Sequence, residues 1–146
     1  MKLSTRGRYG ARAMLDIALH NLEGASKLKD IAERQEVSPK YLDHILSSLR
    51  KADLVKNIRG RYGGYLLTRP AAQITMKEVI QAVEGPLAPV ECVDKSEICS
   101  QNSSCPTRDV WIKLKEIIEE SLESITIQDL IEIQKKKKPQ PIDYQI

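Results

Sequence analysis

Residues 27–68 constrain the fold of this chain more than any other part of its sequence. Apolar residues recur at helical spacing in 27–35 and again in 39–51, and a three-residue turn separates the two stretches. In that turn Ser38 can cap the second helix, and Pro39 follows at its first position, where a missing N–H costs nothing. This arrangement predicts a helix-turn-helix, although a plain helical hairpin would look similar.

A glycine-rich hairpin after the second helix favours the first interpretation. Two short strands are predicted at 54–58 and 65–68, and the three glycines in 59–64 permit the positive φ angles of a hairpin loop. A hairpin in this position is the wing of a winged helix-turn-helix. The loop lacks the Gly-Lys-Ser/Thr ending of a phosphate-binding P-loop. We therefore predict a mainly α-helical protein with a small β-hairpin wing.

Charge is distributed unevenly along the chain, although the net charge is only +3. Residues 1–70 carry 14 basic and 7 acidic side chains, whereas residues 71–134 carry 5 basic and 12 acidic ones. A basic N-terminal half favours a polyanionic partner, and a helix-turn-helix makes double-stranded DNA the expected one.

Candidate DNA-contacting residues lie at the N-terminus, on the second helix and in the wing. The first turns of a recognition helix meet base edges, where Asp43 could accept from cytosine and His44 could donate to a purine. Arginines at a wing tip can enter a minor groove. The predicted DNA-binding residues are Lys2, Arg6, Arg8, Ser38, Lys40, Tyr41, Asp43, His44, Arg59 and Arg61. Each of them would otherwise be an ordinary solvated surface residue.

A long amphipathic helix is predicted over 110–125. A small domain cannot easily cover its continuous apolar seam, so we predict that a second copy of the chain does, with packing inside its own chain as the alternative. A two-fold dimer would place two recognition helices about 34–36 Å apart on a palindromic operator. Beside Val110, the predicted dimer interface consists of Trp111, Leu114, Ile117, Ile118, Leu122 and Ile125.

Four motifs occur in an order that resembles one known family. They are MKLSTRGRYG, LKDIAERQEVSPKYLDHILSSLRKADLV, RGRYGGYLL and ITMKEVIQAVEGP. Over residues 1–134 the chain resembles the bacterial winged-helix repressors typified by IscR, NsrR and CymR. The resemblance implies a dimeric transcription regulator that serves iron–sulfur biogenesis, nitric oxide stress or cysteine metabolism. One departure is Asp53, where the family pattern has glycine; aspartate tolerates left-handed backbone geometry, so the fold prediction is unaffected.

Three cysteines lie within fourteen residues, in a polar segment between two predicted helices. An odd number does not suit the disulfide framework of a secreted protein. Because no signal peptide and no apolar run of membrane-spanning length is present, we expect a cytoplasmic protein without membrane contact. Such a long loop needs something to order it, and three thiolates suit an iron–sulfur cluster or zinc. The predicted metal ligands are Cys92, Cys99 and Cys105.

The resemblance implies that these cysteines hold an iron–sulfur cluster, 2Fe-2S in preference to 4Fe-4S, but it leaves the fourth ligand open. Arg108 stands where IscR-like members have a histidine, and Arg8 stands where NsrR-like members have an aspartate. Asp109, Glu97, Glu91 or a small molecule could complete the site. A cluster-free regulator that responds to thiol oxidation, a small molecule or a protein partner stays open, as does, more remotely, a small iron–sulfur redox protein.

No enzyme is predicted, because the chain has no Ser-His-Asp order, P-loop or Rossmann glycine pattern. We predict a winged helix-turn-helix domain at 1–84, a cysteine-bearing sensor loop at 85–107 and a dimerisation helix with a C-terminal helix at 108–134. A basic, disordered tail is predicted at 135–146. We hypothesise that cluster occupancy orders the cysteine loop against the dimer helix and the wing, which would change the spacing of the recognition helices.

Overall fold

The computed structural model describes residues 1–138, which are mainly helical with one two-stranded antiparallel sheet. The predicted fold class is thereby confirmed. Short 3-10 turns occupy Asn21–Glu23, Ala71–Gln73 and Ser96–Ile98. The helices and strands are α1 Thr5–His20, α2 Leu28–Gln35, α3 Pro39–Lys51, β1 Val55–Ile58, β2 Gly64–Leu67, α4 Met76–Glu84, α5 Glu91–Asp94, α6 Pro106–Glu123 and α7 Ile127–Lys137.

The turn between α2 and α3 forms as its sequence predicts. Glu36 takes left-handed geometry with φ 56°, and the Val37 N–H donates to the Ala32 carbonyl at 3.0 Å, which closes α2. The Ser38 hydroxyl accepts from the Tyr41 N–H at 3.1 Å, and Pro39 occupies the first position of α3. This cap satisfies one of the N–H groups that every helix start leaves without a partner.

A single aliphatic core holds the winged helix-turn-helix together. Leu42, Ile45, Leu46 and Leu49 line the inner face of α3 and are buried against α1, which supplies Met14 and Ile17. Fully burying one such side chain stabilises the fold by about 1.5–3 kcal/mol. The outer face of α3 is therefore held at a fixed orientation and left available for contact.

Helices α1 and α4 pack closely because α1 carries glycine where they meet. A Cβ atom on Gly10 would lie 3.1 Å from Val83 Cγ1, and one on Gly7 would collide with the Glu84 carboxylate. That carboxylate accepts from the Ser4 N–H at 2.8 Å and also from the Ser4 hydroxyl at the start of α1. The two helices run antiparallel, with the end of α4 beside the start of α1.

Strand β2 of the wing is paired along both of its edges. Its strands pair from Val55 opposite Leu67 to Ile58 opposite Gly64. Ser26 adds an antiparallel bridge to Tyr65, with N–H to carbonyl distances of 3.0 and 2.7 Å, which the sequence did not predict.

At the base of the wing, Asp53 has φ 59°. It thus adopts the left-handed geometry that glycine takes most easily and that aspartate tolerates. Its carbonyl accepts from the Thr68 hydroxyl at 2.6 Å.

The C-terminal half departs from the prediction at Ile125, which the apolar spacing places on the long helix and in the dimer seam. Helix α6 ends at Glu123, and Ile125 lies in the link to α7, where its carbonyl accepts from the Met76 N–H at 2.8 Å. A new helix starts there because Thr126 and Asp129 form a capping box. The next apolar residue, Ile127, is fully buried in the main core.

The predicted start of the disordered tail, at residue 135, is also too early in the chain. Helix α7 continues through Lys135, Lys136 and Lys137, and lysines in a last helical turn complement the partial negative charge of the helix C-terminus. The rest of the predicted tail, 139–146, lies outside the described residues. None of the helices in residues 1–138 combines the length and apolar character that crossing a bilayer requires.

Candidate nucleic-acid interface and cysteine segment

The outer face of α3 gathers several of the predicted DNA-binding residues. Lys40, Asp43 and His44 are exposed in its first turns, and Tyr41 is half-buried. The α1 residue Arg6 joins this face, because its Nη2 lies 3.4 Å from the Ser48 hydroxyl and donates to it. Lys2 and Arg8 are exposed near the start of α1. The N-terminus and the recognition helix thus form one cationic surface.

An aromatic and cationic stack that the sequence did not predict holds the start of α3 against α1. Tyr9 and Tyr41 meet edge to face with ring centroids 6.0 Å apart. The Arg12 guanidinium lies 5.0 Å from the Tyr9 centroid, and its Nε donates to Gln35 Oε1 of α2 at 2.8 Å. Such pairs stabilise by roughly 0.5–1.5 kcal/mol each. The arrangement fixes the N-terminal turn of the recognition helix relative to both neighbouring helices.

A buried carboxylate joins α1 to α2 and was likewise not predicted. Asp16 is only 3% exposed and accepts three hydrogen bonds from Arg34, the shortest from Nη2 at 2.6 Å, and one from Gln35 Nε2 at 2.8 Å. The hydrogen bond with Asp16 raises the pKa of Arg34. The sequence signal was an aspartate on the apolar face of a helix, which calls for a basic partner.

The wing tip presents Arg59 and Arg61, as predicted, on a tight turn. The Gly63 N–H donates to the Gly60 carbonyl at 3.0 Å, and a Cβ atom on Gly63 would collide with the Ile58 carbonyl. Tyr62 was not predicted as a site residue, yet it is 85% exposed. The Arg61 guanidinium lies 5.8 Å from its ring centroid.

The base of the wing lies beside the recognition helix. Burial, together with the charge of Asp43, raises the pKa of Tyr65 on β2, while Arg50 opposes the shift. Tyr65 is buried in the same core as the inner face of α3. The geometry of the wing base and that of the recognition helix are therefore coupled.

Two polar contacts tie the cysteine segment to α6. Arg108 Nε donates to the Cys92 carbonyl at 3.2 Å, and Lys115 forms an ion pair with Asp94 at 2.8 Å. The hydrogen bond to Asp94 raises the pKa of Lys115. Arg108 thus contacts the backbone of the segment.

The three cysteines are free thiols that the structure does not gather into one ligand set. Within residues 1–138, no three Cys, His, Asp or Glu side chains lie close enough together to hold a metal ion. This includes the candidate fourth ligands Asp109, Glu97 and Glu91. The donor types fit an iron–sulfur cluster, whereas their placement in the structure is not that of an assembled site.

Cys105 differs from the other two cysteines because it occupies the N-cap position of α6. Its Sγ lies 3.1 Å from the Thr107 hydroxyl. The hydrogen bond from Thr107, with the backbone N–H of Arg108, lowers the pKa of the Cys105 thiol. A thiol of this kind is more readily ionised than an ordinary cysteine.

Helix α6 carries its predicted interface residues on an incompletely covered face. Val110 is 57% exposed and Ile117 is 52% exposed, and Trp111 is also exposed. Leu114, Ile118 and Leu122 are half-buried, and no residue of α6 is fully buried by the rest of residues 1–138. The dimer interface stays a prediction at this point.

Comparison with known proteins gives consistent matches over nearly the whole chain. The family model Rrf2, described as an iron-dependent transcriptional regulator, matches residues 3–133. IscR of Xenorhabdus nematophila is 44% identical over 134 residues, covering 92% of this chain and 81% of the relative. The solved structure of T. potens IscR has a TM-score of 0.79 at 39% identity, covering 99% and 96% of the two chains. The structure of CymR of B. subtilis, described as the global cysteine regulator, has a TM-score of 0.75 at 39% identity, covering 91% and 98%.

Proposed function

The chain belongs to the Rrf2 family of transcriptional regulators, and from this premise we propose that it is a cytoplasmic homodimeric repressor of a palindromic DNA operator with a sensor at its cysteines. Its relatives are named as transcriptional regulators rather than enzymes. The proposal keeps the four-part organisation predicted from the sequence, apart from the corrected start of the tail.

The observation that carries DNA binding is the cationic surface formed by the start of α1, the outer face of α3 and the wing. In this geometry α3 enters a major groove, where Lys40, Asp43 and His44 face base edges. Arg6 lies at the side of α3, in position for a phosphate contact. The wing arginines would reach the adjacent minor groove.

DNA binding is tested by selecting bound sequences from a randomised duplex pool and measuring affinity against salt. We expect a palindromic site. The substitution His44→Ala should cost about 1–3 kcal/mol on that site and relax the base preference it reads. The substitution Arg6→Gln should weaken binding to every sequence and lower the salt slope by about one. Lys113→Gln, on the acidic half, is the matched control. Binding without sequence preference or salt dependence would contradict the proposal.

The sensor proposal rests on the donor chemistry of the cysteine segment. Cys92, Cys99 and Cys105 would hold an iron–sulfur cluster, 2Fe-2S in preference to 4Fe-4S, which when bound supplies a redox- and iron-responsive group. Within the protein, Arg108 and Lys115 tie the segment to α6. A change in the segment would thereby act on α6, the helix assigned to the dimer. A coupling of about 1–3 kcal/mol would change DNA affinity roughly 5- to 150-fold.

The cluster is tested by anaerobic purification followed by visible absorption and by iron and sulfide analysis. We expect coloured protein with iron and sulfide in equal amounts, and loss of both on Cys92→Ala or Cys99→Ala. Colourless protein without iron, with DNA binding unchanged by both substitutions, would overturn the cluster.

A cluster-free thiol sensor is the second candidate, and the position of Cys105 favours it. A thiol at the start of an 18-residue helix, hydrogen-bonded to Thr107, is placed for reaction as a thiolate. A similar protein is described as a global cysteine regulator. In metal-free protein, this candidate predicts that Cys105 is alkylated faster than Cys92 or Cys99 and that blocking it changes DNA affinity. Equal rates, with no effect on affinity, would exclude it.

A further inference from the structure

Four consecutive lysines stand at the end of α7 with little to neutralise them. All four are exposed, and Lys135 makes one long ion pair, 3.9 Å to Glu132. For the part of the chain that the structure describes, Lys136, Lys137 and Lys138 have no acidic side chain within 4 Å of their ammonium groups. The first turn of α7 is acidic at Asp129, and Glu132 lies at the middle of the helix. Helix α7 therefore presents its positive charge at one end only.

The direction of α7 takes this positive end towards the DNA-binding surface. The helix starts where the Ile127 N–H donates to the Ile74 carbonyl, next to the start of α4. Because α4 runs antiparallel to α1, this point lies near the end of α1 that is farther from Arg6. Seven residues later, Gln134 lines a cavity together with Arg12, at the middle of α1, and with Leu15, Asp16 and Leu19 in its second half. Helix α7 thus runs back along α1, towards its N-terminal end.

The end of α7 also meets the side chains that hold the recognition helix. The cavity beside Gln134 is lined by Arg34 and Gln35 of α2 as well as by Arg12. Arg12 donates to Gln35 and stacks on Tyr9, whose ring contacts Tyr41 in the first turns of α3. The lysines therefore directly follow a residue that lies beside the side chains supporting the start of α3.

We propose that Lys136, Lys137 and Lys138 contact phosphates of the DNA backbone beside each half-site and extend the cationic surface beyond the winged helix-turn-helix. The proposal rests on the DNA-binding function proposed above. The charge is complementary, the lysines have no competing acidic partner in the described residues, and α7 directs them towards the start of α1. Such contacts carry no base preference, because they read only the backbone.

The test compares two double substitutions that remove the same charge. One is Lys136→Gln with Lys137→Gln, and the control is Lys95→Gln with Lys113→Gln, two exposed lysines of the acidic half. Affinity is measured on a mixed-sequence duplex of about 40 base pairs from about 0.05 to 0.3 M KCl. We expect the slope of log affinity against log salt to fall by about 0.9 for each phosphate that is no longer neutralised, or roughly eightfold in affinity per phosphate at about 0.1 M salt. The control should keep the parent slope.

The remaining outcomes separate this proposal from the one on which it rests. If the parent chain itself binds DNA without salt dependence, the DNA-binding proposal fails. If the parent binds and Lys136→Gln with Lys137→Gln keeps its slope, only the lysine contacts are overturned. An equal decrease in the control would also overturn them, since it would indicate a general charge effect. Lys136→Arg with Lys137→Arg, which keeps the charge, should retain the slope, and sedimentation should show the same assembly state for all variants.

Discussion

Gly7 decides how closely α1 approaches α4. In most helices alanine is more stabilising than glycine by about 1 kcal/mol. Here a Cβ atom would displace the Glu84 carboxylate from its contacts with Ser4. Glu84 is exposed and can move aside, but it loses these hydrogen bonds when it does. We therefore expect Gly7→Ala to lower the free energy of unfolding by up to about 1 kcal/mol, measured by urea denaturation.

The effect of Gly7→Ala on the free energy of unfolding should change sign once the Glu84 side chain is removed. Glu84→Ala alone loses the hydrogen bonds to Ser4 and should be destabilising by itself. Within that background, the other close neighbour of a Gly7 Cβ atom is Leu3, an exposed side chain that can move. Gly7→Ala should then stabilise by up to about 1 kcal/mol. Destabilisation of equal size in both backgrounds would show that Glu84 is not the cause.

Glu78 gives the stability of the fold a defined dependence on pH. Burial opposes ionisation of Glu78, but the Thr75 N–H and the Arg69 guanidinium, at 2.9 and 2.8 Å, outweigh it and lower its pKa. A carboxyl group with a lowered folded pKa contributes stability above its unfolded pKa, and the contribution is lost as pH falls through the folded value.

Glu78→Gln should accordingly be less stable than the parent by roughly 0.5–1 kcal/mol near neutral pH. The difference should disappear as the pH falls through the lowered folded pKa of Glu78, where the parent carboxyl becomes protonated as well. Thermal midpoints recorded across this range provide the measurement, with Glu132→Gln on the exposed face of α7 as the control. A pH-independent difference would mean that the charge of Glu78 contributes nothing.

At the scale of elements, a change in the wing should weaken DNA binding far more than it lowers the stability of the core. A Cβ atom on Gly63 would collide with the Ile58 carbonyl, so Gly63→Ala must open the turn that presents Arg59 and Arg61. We expect about tenfold weaker DNA binding, which corresponds to about 1.4 kcal/mol, with only a small decrease in Tm because residues 59–62 are exposed and lie outside the core. Asn57→Ala, an exposed residue of the same hairpin, should leave binding nearly unchanged. If both variants bound equally well, the shape of the tip would not matter.

Elements with local start and stop signals were predictable, and those that depend on distant contacts were not. Helix α3 carries its own cap and proline, and its apolar spacing matches the buried face. The bridge between Ser26 and Tyr65 depends on two segments far apart in sequence. The boundary at Ile125 was missed because the apolar spacing continues across it, although Thr126 and Asp129 already form a capping pattern in the sequence.

In the candidate site, too, the features that follow from local sequence patterns were predictable, and those that depend on distant contacts were not. Exposed cationic residues on α3 and the wing follow from the amphipathic pattern, whereas the stack of Arg12 on Tyr9 requires three helices to meet. The cysteine spacing predicted a ligand set, but spacing alone does not bring Cys92, Cys99 and Cys105 together, and within residues 1–138 the structure leaves them apart. Sequence thus indicated the donor chemistry without its geometry.

At the scale of the whole molecule, charge and apolar surface are segregated in a way that suits a dimer on DNA. The basic residues concentrate at the start of α1, on α3, in the wing and at the end of α7. The incompletely covered apolar residues of α6 lie in the acidic half, where they would not compete with DNA for the same surface. A two-fold pair joined through α6 would present two cationic surfaces to one duplex.

The dimer is tested by placing a charge in the apolar face of α6. Ile117 is 52% exposed and lies outside the main core, so Ile117→Asp should cost the monomer little, but it would bury an unpaired carboxylate in the proposed interface. We expect sedimentation to show a dimer for the parent and a monomer for this variant. The salt slope for DNA binding should be roughly halved, because a monomer brings one set of phosphate contacts. Ile133→Asp on α7, 46% exposed, is the matched control and should stay dimeric. A monomeric parent, or a variant that stays dimeric with an unchanged slope, would show that α6 does not form the subunit interface.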